Sequence, residues 1–243
     1  MSANIIISFD GTDNDRDALA LGRIFGNAGA ALSLAYVRHS HESDANRERE
    51  AQADAEQVLE SGAQWLGQPE ITRHIVINAS TGEGLRSLSE SENADVLVFG
   101  SDWHTAPGHV QPGASAVRLM DGGPVAVAIA AAGLHNQTNT NLTHIALPGG
   151  EVDPAARETA EALTARAGTP LALPTQEDVD LLVVGSRPGA PEGRVSLSAA
   201  SEYLVDTTNA SVLVLPRGVA FHVDEQSSRV QAQAATQADG VNA

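Results

Sequence analysis

Two stretches of this chain match one another without a gap: ADVLVFGSDWHTAPGHVQPGASAVRLM from Ala94 and VDLLVVGSRPGAPEGRVSLSAASEYLV from Val179. Each runs from an apolar strand through Gly-Ser into a loop and then a helix. Gly100, Ser101, Gly108 and Val110 fall opposite Gly185, Ser186, Gly193 and Val195. The repeat predicts two related units, and 243 residues allow one large core or two modest ones.

The first half alternates strand and helix throughout. Ile5-Ile6-Ile7-Ser8-Phe9 is a buried-strand run that ends at Asp10-Gly11-Thr12, and Leu21, Ile24, Phe25 and Ala28 follow at helical spacing. Gly29 closes that helix, and a second strand begins at Leu32 and runs to Val37. An amphipathic helix is predicted over 43–66, strands over 73–77, 95–99 and 124–129, and helices over 82–91 and 114–120. This βαβαβαβαβ rhythm predicts a parallel sheet with right-handed crossovers and helices on both faces. Ligands on such sheets sit beyond the carboxyl ends of the strands, which directs attention to Asp10, Val37 and Gly100. Residues 1–130 form a complete unit, the small and polar 131–142 a linker, 143–218 a shorter second unit and 219–243 a disordered tail.

Composition removes many activities. There is no cysteine, hence no disulfide, thiolate metal site or cysteine nucleophile, and a reducing, cytoplasmic setting fits. No run approaches the roughly 20 apolar residues of a membrane helix. The net charge of −17 repels phosphate backbones and anionic lipid, so neither nucleic acid nor membrane is an expected partner. All fourteen cationic residues are Arg, and the lack of Lys excludes a Walker loop, a kinase-type lysine and a pyridoxal Schiff base. There is no G-x-S-x-G elbow for a hydrolase and no G-x-G-x-x-G turn after the first strand for an NAD enzyme. His104 and His109 lack a third partner at metal-ligand spacing, so no metal is expected. The pattern points to binding rather than chemistry.

On these residues the sequence resembles the universal stress protein family in its tandem form. The family's first strand ends in Asp-Gly-Ser, matched here by Asp10-Gly11-Thr12, and its GxxGx9G(S/T) motif follows the fourth strand, where Gly100 and Gly113 stand at the spacing of the outer glycines. Glu83-Gly84-Leu85, Ala94-Asp95 and Ala116-Val117-Arg118-Leu119 also look like family sequence. The resemblance implies a Rossmann-like α/β fold of the adenine nucleotide alpha hydrolase type, a five-stranded sheet ordered 3-2-1-4-5, with a truncated second copy. It implies a stress-response protein holding ATP or AMP in the first unit as a regulatory ligand, with at most weak ATP hydrolysis. Asp10, Gly11, Thr12, Val37, Gly100, Ser101, Gly113, Ala114 and Ser115 are the nucleotide-binding candidates. Asp10 would accept hydrogen bonds, and the backbone of Val37 would pair with an adenine edge. Gly100 and Gly113 would let main-chain amides reach phosphate oxygens near a helix start.

Departures favour an alternative, a protein–protein interaction module that has lost its ligand. Trp103 replaces the middle glycine, Gly113-Ala114-Ser115 displaces the terminal hydroxyl by one residue, and Asp102 adds an acidic group. In the second half Pro148 is read at the place of Asp10, Pro188 and Ser198-Ala199 alter the loop, and no nucleotide is expected there. That half carries a helix over 154–167, a short strand over 171–173 and strands from Asp180 and over 211–215, but lacks the middle of the unit. A remnant ordered 2-1-4-5 follows if the order implied by the resemblance holds, although residues 174–179 reach only roughly 20 Å when extended, which strains a regular strand over 171–173. In the family the fifth strand pairs with a partner's fifth strand. Pairing Ala126-Val127-Ala128 with Leu213-Val214-Leu215 inside one chain would cover that edge, with further homo-oligomerisation left open.

Overall fold

The computed structural model describes residues 2–138, 141–149, 152–172 and 179–223. Nine elements build the first unit: β1 (Asn4–Ser8), α1 (Asp13–Asn27), β2 (Ala31–Arg38), α2 (Ala45–Leu66), β3 (Thr72–Ile77), α3 (Thr81–Ser91), β4 (Val96–Phe99), α4 (Ala114–Met120) and β5 (Ala126–Ile129). A 3₁₀ turn at Leu134–Asn136 leads to the second: β6 (Ile145–Ala146), α5 (Pro154–Ala167), β7 (Leu181–Val184), α6 (Ala199–Thr207) and β8 (Ser211–Val214). One sheet runs through both, ordered β3-β2-β1-β4-β5-β8-β7-β6.

Alternation along the strands makes two cores. Ile5 and Ile7 point to the face covered by α1, α2 and α5, and Ile6 to the face covered by α3, α4 and α6. Leu181, Val183 and Leu213 extend the first layer into the second unit, and Leu182, Val184, Val212 and Val214 extend the second. Burial on both faces is why these strands read as unbroken Val, Ile and Leu runs.

The units join at β5 and β8, which pair antiparallel with Val127 opposite Val214, Ala128 opposite Leu213 and Ile129 opposite Val212. These are the strands placed edge to edge by the sequence. Within each unit the pairing is parallel. The strands of the second unit therefore run opposite to those of the first, and the two carboxyl-end crevices open at opposite ends of the sheet. A buried hydroxyl helps the seam: Ser211 Oγ accepts from the amide of Ala131 at 3.1 Å.

Four sequence expectations change. No strand forms at 171–172: Ala172 makes a single parallel bridge to Ala146, its amide donating to Ile145 at 2.7 Å, and residue 173 lies outside the described residues. The described remnant is thus 1-4-5, with Ala172 at the place of strand two. The start of the expected tail is packed. Phe221 is buried edge-to-face on Phe25 at 5.9 Å, and Val223 accepts from the amide of Ala3 at 3.0 Å. Residues 224–243 lie outside the described residues. The expected linker is anchored, because the buried carboxylate of Asp17 accepts from the amides of Gly133 and His135, both at 2.8 Å, and meets His135 Nδ1 at 2.6 Å. Finally, Ile5 pairs with Val96 and Ile145 with Leu181, so Pro148 falls opposite Ser8 rather than Asp10, and Gly150 is the sequence counterpart of Asp10.

Candidate functional site

The predicted residues gather along the carboxyl edge of β2, β1 and β4. β1 leaves the sheet through Asp10 and turns at Gly11, whose φ of +90° only glycine adopts cheaply. The exposed carboxylate of Asp10 accepts from the amide of Thr12 at 2.9 Å, and Thr12 caps α1 in extended conformation without a side-chain bond of its own. β2 overshoots its neighbour: the last β1 contact is the amide of Phe9 donating to Ala35, while Arg38 accepts from Asn78 on the β3 side. Alternation then turns the amide and carbonyl of Val37 toward the space beyond the end of β1. Arg38, nearly buried, holds the following loop by donating to both Glu48 oxygens at 3.0 and 2.8 Å. That pairing, with the Glu42 amide, draws the Glu48 carboxyl down to about 2.

The loop after β4 is a built structure. A Cβ on Gly100 would collide with the carbonyl oxygen of Asn14 in the first turn of α1, so glycine is required there by helix packing. Ser101 is buried; its hydroxyl donates to Ala130 at 2.6 Å and accepts from the amide of Gln111 at 3.3 Å. The amide of Asp102 donates to Gln111, that of Gly108 to Ala132, and that of Ala132 to His109. The second unit repeats every one of these bonds. Ser186 donates to Leu215 and accepts from Ser196, Arg187 donates to Ser196, Gly193 to Arg217 and Arg217 to Arg194. The helix contact recurs as well, since a Cβ on Gly185 would lie 2.5 Å from that of Asp153.

Gly113 faces open space and caps α4 without a side-chain bond, with Ala114 and Ser115 beginning the helix. The carbonyl of Ser115 packs beside Gly82 at the start of α3, and Arg118 reaches across to donate to Ser80 at 3.1 Å. Trp103 is 72% exposed and does not plug the crevice. Asp102 turns back on its own loop, accepting from the amide of His104.

One group was missed. Asp15 accepts from the amide of Asp10 at 2.6 Å, and burial, then the neighbouring Asp10 charge, hold its carboxyl well above the usual range. An Asp in the first turn reads from sequence as a helix-dipole partner; the signal was its position facing a strand end that already carries Asp10. The crevice therefore offers backbone donors and acceptors with local negative charge. The second unit's crevice was missed too: a cavity of about 450 Å³ opens there, lined by Arg187, Arg217 and Ser198 among others.

No protein-family model matches the sequence, and no curated protein matches it. Solved structures do. A universal stress protein from Archaeoglobus fulgidus superposes with a TM-score of 0.67 at 16% identity, covering 90% of this chain and all of that one. A protein of unknown function from Pseudomonas aeruginosa superposes at 0.56 with 14% identity, covering 94% of this chain and 98% of that one. The chain has the fold of the universal stress proteins.

Proposed function

We propose that the chain is a non-catalytic binding protein that takes an adenine nucleotide at the first unit as a regulatory ligand, with AMP preferred over ATP, in the cytoplasm. The overhang of β2 past β1 carries this reading: it leaves the Val37 amide and carbonyl available to an adenine edge, with Asp10 and Thr12 beside it for ribose hydroxyls. The phosphate end is poorer. The Ser101 hydroxyl is engaged within the loop, Gly100 is covered by α1, Ala114 offers no hydroxyl, and Arg118 is bonded to Ser80, beside a crevice that holds Asp10 and Asp15. Each added phosphate raises the repulsion from the Asp10 carboxylate.

Calorimetry on the full chain tests this: AMP should bind more tightly than ATP, and Asp10→Ala should abolish the heat of both. Tighter binding of ATP, or binding that survives Asp10→Ala, would overturn it. A second reading, an interaction module without ligand, is favoured by the repetition of the whole loop network in both units, because a loop retained for folding need not serve a nucleotide. Absence of AMP binding together with no nucleotide released on denaturation selects that reading.

A further inference from the structure

The cavity of about 450 Å³ at the opposite end of the sheet lies where β6 and β7 end and α5 begins. Arg187 and Arg217 line it, with Asp153, Glu158, Ser198 and Ser201. The two guanidiniums stand at one concave place beside the carboxylates of Asp153, Glu158 and Glu192, so a ligand there must offer an anionic group together with hydroxyl donors. Both guanidiniums are fixed to the loop after β7. Arg187 Nε donates to Ser196 Oγ at 2.9 Å, and a terminal nitrogen of Arg217 donates to the carbonyl of Ala190 at 2.6 Å. Each anchor uses one of the five donors of a guanidinium, and a held fork suits an oxyanion better than a free one.

The remaining polar groups suit hydroxyls. Ser198 and Ser201 stand with their oxygens 3.0 Å apart at the start of α6. Asp153 caps α5 through the amide of Ala155, and Glu158, in the next turn, meets His222 Nε2 at 3.0 Å. Carboxylates accept from hydroxyl groups, while Pro148, Pro154 and Pro188 give the cavity an apolar wall for the carbon side of a ring. A nucleotide is disfavoured, because Gly150 stands at the sequence place of Asp10 and brings no carboxylate for ribose hydroxyls.

The geometry points to a second ligand site in this unit, for a small hydroxylated phosphate such as a sugar or polyol monophosphate. It is independent of the nucleotide reading of the first unit. Titration calorimetry on the full chain with glucose 6-phosphate, inorganic phosphate and AMP tests it. Glucose 6-phosphate should bind once per chain, about tenfold or more tighter than inorganic phosphate, and Arg187→Ala should weaken it about tenfold or more without moving the thermal midpoint. Asp10→Ala should leave this binding unchanged. Equal affinity for inorganic phosphate, displacement by AMP, sensitivity to Asp10→Ala or no binding would each overturn the proposal. Should Arg187→Ala fail to fold, amide shifts in the unaltered protein decide: glucose 6-phosphate should move Ser198, Ser201 and Gly218, and movement confined to Gly113 and its neighbours would overturn it.

Discussion

In the first unit the hydroxyl of Ser101 closes its loop against Ala130 and Gln111; in the second, Ser186 does the same against Leu215 and Ser196. The first unit is long enough for five strands and offers an acidic crevice beside an overhanging β2. The second has lost the middle of that plan and offers a cavity with two arginines. Loops with the same hydrogen bonds thus border different sites. The Gly-Ser loop is part of how each sheet holds its helix, and what a crevice can bind is decided by residues outside that loop.

Altering the shared parts in turn gives the strongest tests. Gly100→Ala puts a methyl into the main chain of Asn14, whereas Gly185→Ala meets side-chain carbons of Asp153 and Ala156. The first should cost about 3 kcal/mol and the second roughly 2, read from urea midpoints; equal costs would mean that α1 and α5 yield alike. Ser101→Ala and Ser186→Ala each leave a buried carbonyl and an amide without their partner, so each should cost about 2 kcal/mol. A loss in only one unit would break the equivalence.

The smallest effect concerns pH and belongs to the first unit alone. Asp15 has its folded pKa raised, so its contribution is fully present below the unfolded value near 3.8 and is lost as pH rises through the folded value. Glu48 runs the other way, contributing above about 4.5 and losing its share as pH falls toward 2. Asp15→Asn should therefore raise the thermal midpoint near neutral pH and flatten its rise on mild acidification. An unchanged pH profile would remove Asp15 from the account.

Much of this plan could be read from local pattern. The helix at Pro154–Ala167 matches the expectation over 154–167, and its ends are local: Asp153 caps it, proline suits its first turn, and Gly168 ends it with a φ of +70°. The strands were visible as apolar runs, and their pairing at β5 and β8 followed from edge logic joined to the family resemblance. What escaped depends on partners distant in sequence. Ala172 is held by one bridge, Asp17 anchors a turn more than a hundred residues away, and Phe221 finds its ring partner across the whole chain. The candidate site was legible as a location, since strand ends and glycines mark it. Its electrostatics were not, because the burial that lifts Asp15 and the helix that covers Gly100 exist only after folding.

The contact of Phe221 with Phe25, and of Val223 with Ala3, has a consequence for synthesis. A ribosome makes the first helix long before the segment that finishes covering it, so the nascent first unit emerges with part of its apolar face bare. Until residues 221–223 have left the ribosome that face is open to chaperones or to other nascent chains, and a product cut short before them never acquires its cover.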